Sequence, residues 1–158
     1  MVNNEDFRAA LDRGERDAHA RRDPIAAVLG MVGPTVEAVQ RHVENGVAYQ
    51  RELLFGAPAE KYRTEGLVLV ARLESMIAER LVAAAGERGV DAARARRPAL
   101  LAGRSVFAVL HLILARPSTG PQAGDDGLGD LRDQIAQIVA GFFAAIDTRA
   151  GAGRTAPR

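Results

Sequence analysis

The protein has 158 residues, of which 47% are hydrophobic, 26% charged and 4% aromatic, a composition typical of one globular domain. It contains no cysteine, which excludes zinc fingers, iron–sulfur clusters and thiol nucleophiles. The charge is nearly balanced, with 21 Lys and Arg against 20 Asp and Glu, so the net charge of +1 favours neither a nucleic acid nor an anionic membrane. The N-terminal residues are charged and lack an apolar run, so we expect no secretory signal, a cytoplasmic location and no membrane partner.

Apolar residues recur with a helical period along the chain, and no two alternating runs are joined by a hairpin turn. This pattern predicts an all-α bundle of about six helices. The first helix, over residues 1–22, is highly charged and has few apolar residues. The second begins at Pro24 behind an Asp23 cap, and Pro34 within it predicts a kink.

Glycines, prolines and charged clusters divide the rest of the chain. They predict a short helix over 47–55, a long helix over 59–85, an arginine-rich link over 88–97, an apolar helix over 99–116, a loop over 117–127 and a final apolar helix over 128–147. Residues 148–158 are rich in Gly, Ala and Arg and are predicted to form a disordered tail.

Three stretches of the sequence share the pattern of one protein family. They are NNEDFRAALDRG (3–14), RDPIAAVLGMVGPTVEAV (22–39), and LLAGRSVFAVLHLILARP (100–117) followed by LGDLRDQIAQIVAGFF (128–143). In helix order and apolar pattern they resemble the regulatory domain of TetR-family transcriptional regulators. The resemblance implies a linker helix over residues 1–22 and an effector-binding and dimerisation domain over residues 23–147.

The resemblance also bears on DNA binding. In that family a helix-turn-helix precedes the linker helix and reads the operator in the major groove. No such segment precedes Val2, so we expect the chain as given not to bind operator DNA. DNA is expected to be a partner only through a helix-turn-helix that is missing from this chain. Asn4 stands where the family commonly has a phosphate-contacting Lys. A truncated regulator and a standalone domain descended from one are both consistent with this pattern.

A cavity for a small hydrophobic effector is a further implication of the resemblance. The candidate lining residues are apolar or carry a polar tip: Met31, His42, Tyr49, Leu53, Tyr62, Leu69, Leu73, Met76, Phe107 and His111. Ordinary core packing is the alternative for each of them. For His111, inside an apolar run, the alternatives are a buried imidazole bonded to a backbone carbonyl or to its symmetry mate, or a pocket residue that recognises a polar ligand group.

The last two helices are apolar over more than the roughly 100° stripe of a surface helix. We therefore predict a homodimer in which they pair with the same helices of a second copy as a four-helix bundle. The candidate interface residues are Val106, Leu110, Ile113, Ile135, Val139, Phe142, Phe143 and Ile146. The alternative function is a helical homodimeric adaptor or structural protein without a ligand or DNA-binding role.

No motif indicates an enzyme. His19, His42 and His111 are far apart and lack metal-ligand spacing, so we expect no metal site and no cofactor. There is no Ser/His/Asp arrangement, phosphate-binding glycine loop or pair of carboxylates at catalytic spacing. Residues 88–104 contain five arginines, which could meet phosphate, but no interleaved aromatic offers a stacking platform. A solvated loop that also favours the ends of neighbouring helices is therefore the better interpretation.

Overall fold

The computed structural model describes residues 3–41, 43–57, 60–115 and 126–152, and over these ranges the chain forms six α-helices packed as a bundle, with no strand. This confirms the all-α prediction. The helices are α1 (Asn4–His19), α2 (Pro24–Gln40), α3 (Val43–Phe55), α4 (Lys61–Glu87), α5 (Ala92–Ala115) and α6 (Asp126–Ala152). The predicted loop over 117–127 lies outside the described residues as far as 125, and 126–127 belong to α6.

Local caps explain where the first two helices begin. The side chain of Asn3 accepts hydrogen bonds from two backbone N–H groups of the first turn of α1, and the N–H of Asn3 donates to Asp6 (3.1 Å). This reciprocal pair is a capping box. Asp23 accepts from the backbone N–H of Ala26 (2.7 Å), and Pro24 occupies the first turn, so α2 starts as predicted.

The first helix is an integral part of the bundle despite its charge. A Cβ atom on Gly14 would lie 2.4 Å from the carbonyl oxygen of Met31, so α1 and α2 cross in a contact that only glycine permits. Phe7 and Leu11 are buried on the same helix. α2 stays helical through Pro34, which is buried, and ends at Gln40.

The start of α5 differs from the prediction. The arginine-rich link over 88–97 is helical from Ala92, because the side chain of Asp91 accepts from the backbone N–H groups of Ala93 (2.9 Å) and Arg94 (3.4 Å). Asp91 is therefore the N-terminal cap, and Pro98 lies within the helix instead of starting it.

The chain end also differs from the prediction where it is described. α6 continues to Ala152, so the predicted tail over 148–158 is helical in its first residues. Residues 153–158 lie outside the described chain.

The most extensive helix contacts are between helices that follow one another in the chain, and the helices share one core. α1 lies along α2, α4 along α5 and α5 along α6, and α2 also contacts α4 and α6. The largest fully buried side chains are Leu11, Val28, Val32, Leu73, Ile77, Leu81, Val106, Leu110, Leu131, Ile135, Val139 and Ile146. One stretch of the described chain, Ala92–Leu114 in α5, has the length and hydropathy of a membrane-spanning helix. Within the bundle α5 contacts α2, α3, α4 and α6, and 44% of the most apolar window of this stretch is buried.

Candidate functional site

Nine of the ten predicted ligand residues are described, and they lie in different parts of the bundle. Leu53, Leu69 and Leu73 are buried in the core. Tyr62 is 70% exposed on the first turn of α4, and His42 lies outside the described residues. The remaining candidates fall into two places, an interior cluster between α2, α3 and α5 and an open cleft beside α1.

The interior cluster contains a buried pair of polar side chains. The Nδ1 atom of His111 on α5 donates a hydrogen bond to Oε1 of Gln50 on α3 (2.7 Å), and both residues are buried. The ring of Phe107 lies 6.1 Å from the imidazole, centroid to centroid. Burial lowers the pKa of His111, which favours the neutral imidazole. His111 is therefore a buried, hydrogen-bonded histidine, but its partner is the Gln50 side chain instead of the predicted backbone carbonyl or symmetry mate.

A second polar contact links α1 to the same region. The Tyr49 hydroxyl donates to Oδ1 of Asn4 (2.7 Å), and the Asn4 amide donates to the carbonyl oxygen of Tyr62 (2.8 Å). Burial raises the pKa of Tyr49 to about 12, so this hydroxyl stays a neutral donor. A Cβ atom on Gly66 would lie 3.3 Å from the Tyr49 oxygen and 2.5 Å from Leu53. Asn4 thus faces the bundle interior, where it joins α1 to α3 and α4.

One buried hydroxyl in the cluster has no partner. Among the described residues, Oγ1 of Thr35 on α2 makes no hydrogen bond. It borders a void of about 10 Å³, whose lining residues are Phe7, Ala10, Thr35, Ala38, Val39, Tyr49 and Gln50. A void of this size holds about one water molecule. The void at Thr35, Tyr49 and Gln50 is therefore smaller than an effector in this conformation.

Met31 and Met76 lie elsewhere, on the floor of an open cleft of about 410 Å³ between α1, α2 and α4. Both methionines are buried. The rim of the cleft is charged and includes Arg21, Arg22 and Arg80. These arginines were not among the predicted ligand residues, because their convergence on the methionines depends on the packing of α1 against α4.

The candidate interface residues already lie in the core of a single chain. Seven of them are buried: Val106, Leu110, Ile135, Val139, Phe142, Phe143 and Ile146. Ile113 is partly buried. These seven side chains are covered within one chain, on the side of α5 and α6 that packs against the rest of the bundle, so they do not themselves need a second copy to cover them.

Other side chains of α5 are exposed instead. Leu101 is 53% exposed and Leu112 is 60% exposed. Beside Leu101 a groove of about 280 Å³ runs between α5 and α6, lined by Arg97, Pro98, Leu101, Ala102, Ser105, Ile138, Gly141, Phe142 and Ala145. This outer face, to which Phe142 of the predicted residues contributes, carries the exposed apolar surface of the last two helices.

The arginines of residues 88–104 mainly join helices. The Arg88 guanidinium lies 3.5 Å from the ring centroid of Phe143, and Arg94 donates to the carbonyl oxygen of Ile146. Nε of Arg104 lies 3.7 Å from a carboxylate oxygen of Glu74. These contacts connect α5 and its preceding turn to α4 and α6. Arg88, Arg96, Arg97 and Arg104 are exposed, as the prediction of a solvated segment expected, but the segment is helical from Ala92 instead of a loop.

Comparison with protein-family models, with curated proteins and with solved structures finds no match to this chain. Within the described ranges, no group of three or more His, Asp or Glu side chains is arranged to hold a metal ion. The features that bear on function are the interior cluster, the open cleft beside α1 and the exposed α5–α6 face.

Proposed function

We propose that this chain is the effector-sensing and dimerising domain of a TetR-like transcriptional regulator that responds to a small hydrophobic molecule. The helix order supports this proposal, with a charged first helix, an Asp–Pro helix start, one long helix and two apolar C-terminal helices. In such a regulator, DNA is contacted by a helix-turn-helix that precedes the linker helix. The exposed apolar face of α5 and α6 is the observation that carries the proposal.

That face has the spacing of a helix–helix seam. Leu101, Ser105, Ala108 and Leu112 follow one another at intervals of four, three and four residues, and all are exposed. Gly141 on α6 has no atom within 4 Å of its Cβ position, so another helix can approach it closely. A second copy of the chain would cover both leucines and form a four-helix bundle.

Opposite charges stand at the two ends of the same face. Arg97 lines the groove near Ala145, whereas Asp130 is exposed at the other end of α6. A two-fold axis across the middle of the face would bring Arg97 of one copy towards Asp130 of the other. The face is therefore self-complementary, as a symmetric dimer interface requires.

The interior cluster is the proposed effector site. Thr35 offers an unpaired hydroxyl, and Gln50 and His111 offer a hydrogen-bonded pair, in otherwise apolar surroundings. Because the void there holds about one water molecule, a ligand has to select a conformation in which α3 stands away from α2 and α5. Such a ligand is mostly apolar with one polar group.

The small volume of the void at the interior cluster, about 10 Å³, favours the alternative, which is a homodimeric adaptor without a ligand. Two measurements separate these functions. Sedimentation at micromolar concentration is expected to give about twice the 16.8 kDa of one chain. Thermal unfolding with a library of apolar compounds is expected to reveal a stabilising ligand, since a hundredfold excess over Kd adds about 2.7 kcal/mol. A dimer that no compound stabilises supports the adaptor, and a monomer refutes both functions.

A further inference from the structure

The open cleft beside α1 has an apolar floor. It lies between the C-terminal half of α1, the segment 20–23, the middle of α2 and the second half of α4. Ala18, Met31 and Met76 are buried beneath it. Its volume of about 410 Å³ falls in the range of about 300–1,000 Å³ common for small-molecule sites. Methionine side chains adapt to hydrocarbon of varied shape, so this floor suits an aliphatic or aromatic group.

Three arginines, Arg21, Arg22 and Arg80, line the rim. Arg80 is already engaged, since it donates to the carbonyl oxygens of Arg21 (3.4 Å) and Arg22 and lies 4.0 Å from Glu87. The side chains of Arg21 and Arg22 form no ion pair with any described residue. Nε of Arg21 lies 3.2 Å from the Cβ position of Gly30, so its side chain crosses α2 next to the floor. Two guanidinium groups are thus left without a counter-charge.

The carboxylates around the cleft do not neutralise this pair. Glu15 is bound at 2.8 Å by Arg72, which also binds Asp12 at 2.7 Å outside the cleft. Glu87 faces Arg80, which leaves Glu79 as the carboxylate without an ion pair in the described part of the lining. Arg21 and Arg22 are therefore the arginines of the lining that no carboxylate within the described ranges binds, and they can bind an anionic group.

We propose that this cleft binds an amphipathic carboxylate, with its hydrocarbon on Met31 and Met76 and its carboxylate on Arg21 and Arg22. Guanidinium groups recognise carboxylates through paired, charge-assisted hydrogen bonds. Such a ligand contacts α1, α2 and α4 together and so stabilises the packing of α1 on the bundle. The site is separate from the interior cluster and does not depend on the proposed regulatory function.

Titration of the full chain with decanoate tests this site. The readout is the nuclear magnetic resonance signals of isotope-labelled methionine methyl groups, assigned with Met31→Leu and Met76→Leu. The methyl signals of Met31 and Met76 are both expected to shift, and the shifts are expected to level off as decanoate saturates the site. The double variant Arg21→Gln, Arg22→Gln is expected to weaken binding by about tenfold or more, because the charge-assisted bonds are lost. The matched control Arg96→Gln removes an exposed α5 arginine outside the cleft and is expected to bind decanoate as the unmodified chain does.

A series of head groups on the unmodified chain provides a second test. Decanol and decyltrimethylammonium carry the same hydrocarbon without the carboxylate, and both are expected to bind about tenfold more weakly or worse than decanoate. Equal binding of the three compounds overturns the proposal, as does unchanged affinity of the folded double variant or an absence of shifts at Met31 and Met76. If the double variant does not fold, the head-group series alone decides.

Discussion

The Nδ1 atom of His111 on α5 lies 2.7 Å from Oε1 of Gln50 on α3, and the two residues are 61 positions apart in sequence. Both side chains are buried, so each supplies the hydrogen bond that the other would otherwise make with water. The pair therefore holds α3 against α5 in the region of the proposed effector site.

The losses of stability from removing Gln50 and His111 are expected to be less than additive. Gln50→Leu leaves the buried imidazole N–H of His111 unpaired, which lowers the free energy of unfolding by about 1–3 kcal/mol. The double variant Gln50→Leu, His111→Leu leaves no unpaired group, so its loss is expected to be smaller than the sum of the two single losses. Urea denaturation of the four proteins measures this coupling, and additive losses would contradict it.

The buried imidazole also makes stability depend on pH. Because burial lowers the folded-state pKa of His111, the unfolded chain takes up this proton first as the pH falls through its ordinary value of about 6.5. The free energy of unfolding is therefore expected to decline from about pH 6.5 down to the folded-state pKa and to lose nothing further from this group below it. Denaturation curves at several pH values measure the decline. The double Leu variant is the control and should lack this component, and an imidazole that titrates at or above the ordinary value would contradict the prediction.

The contact between α4 and α5 depends on a glycine. A Cβ atom on Gly103 would lie 2.6 Å from the carbonyl oxygen of Glu74, and a backbone atom cannot turn aside as a side chain does. Gly103→Ala is therefore expected to lower the free energy of unfolding by about 1–3 kcal/mol. Gly86→Ala on α4 is the matched control, because no atom lies within 4 Å of its Cβ position. It is expected to be neutral or stabilising by at most about 1 kcal/mol, and equal losses in the two variants would refute the close contact.

The proposed dimer depends on the exposed leucines of α5. Leu101→Glu and Leu112→Glu are expected to give a folded monomer in sedimentation, because each charge meets the apolar face of the second copy but does not enter the core. Val68→Glu alters a side chain that is 64% exposed on α4, and this control is expected to remain dimeric.

Glutamate substitutions at buried positions distinguish the interface proposed on the exposed α5–α6 face from the interface predicted from the sequence. Leu110→Glu and Phe143→Glu are expected to unfold the chain, since both residues are buried within it. Folded monomers from these two variants, with dimers retained for Leu101→Glu, would instead favour the interface predicted from sequence.

Local signals in the sequence determined the helical class and most of the helix order. Asp23 and Pro24 start α2 as predicted, because a cap and a first-turn proline act within a few residues. Pro98 predicts a later start for α5, whereas the observed helix begins at Ala92 because Asp91 supplies the N-terminal cap. Such local competition between two start signals is resolved by the packing of the whole helix.

Contacts between distant helices were decided by the tertiary structure alone. The apolar pattern indicated that α5 is apolar nearly all round, but it did not show which side packs against α2, α3, α4 and α6 and which side stays exposed. Gln50 bonds to His111 only because α3 packs against α5. Arg21 and Arg22 line one cleft with Met76 only because α1 and α2 pack against α4. Periodicity records which residues avoid water, whereas the identity of their neighbours depends on how helices far apart in sequence fill the space between them.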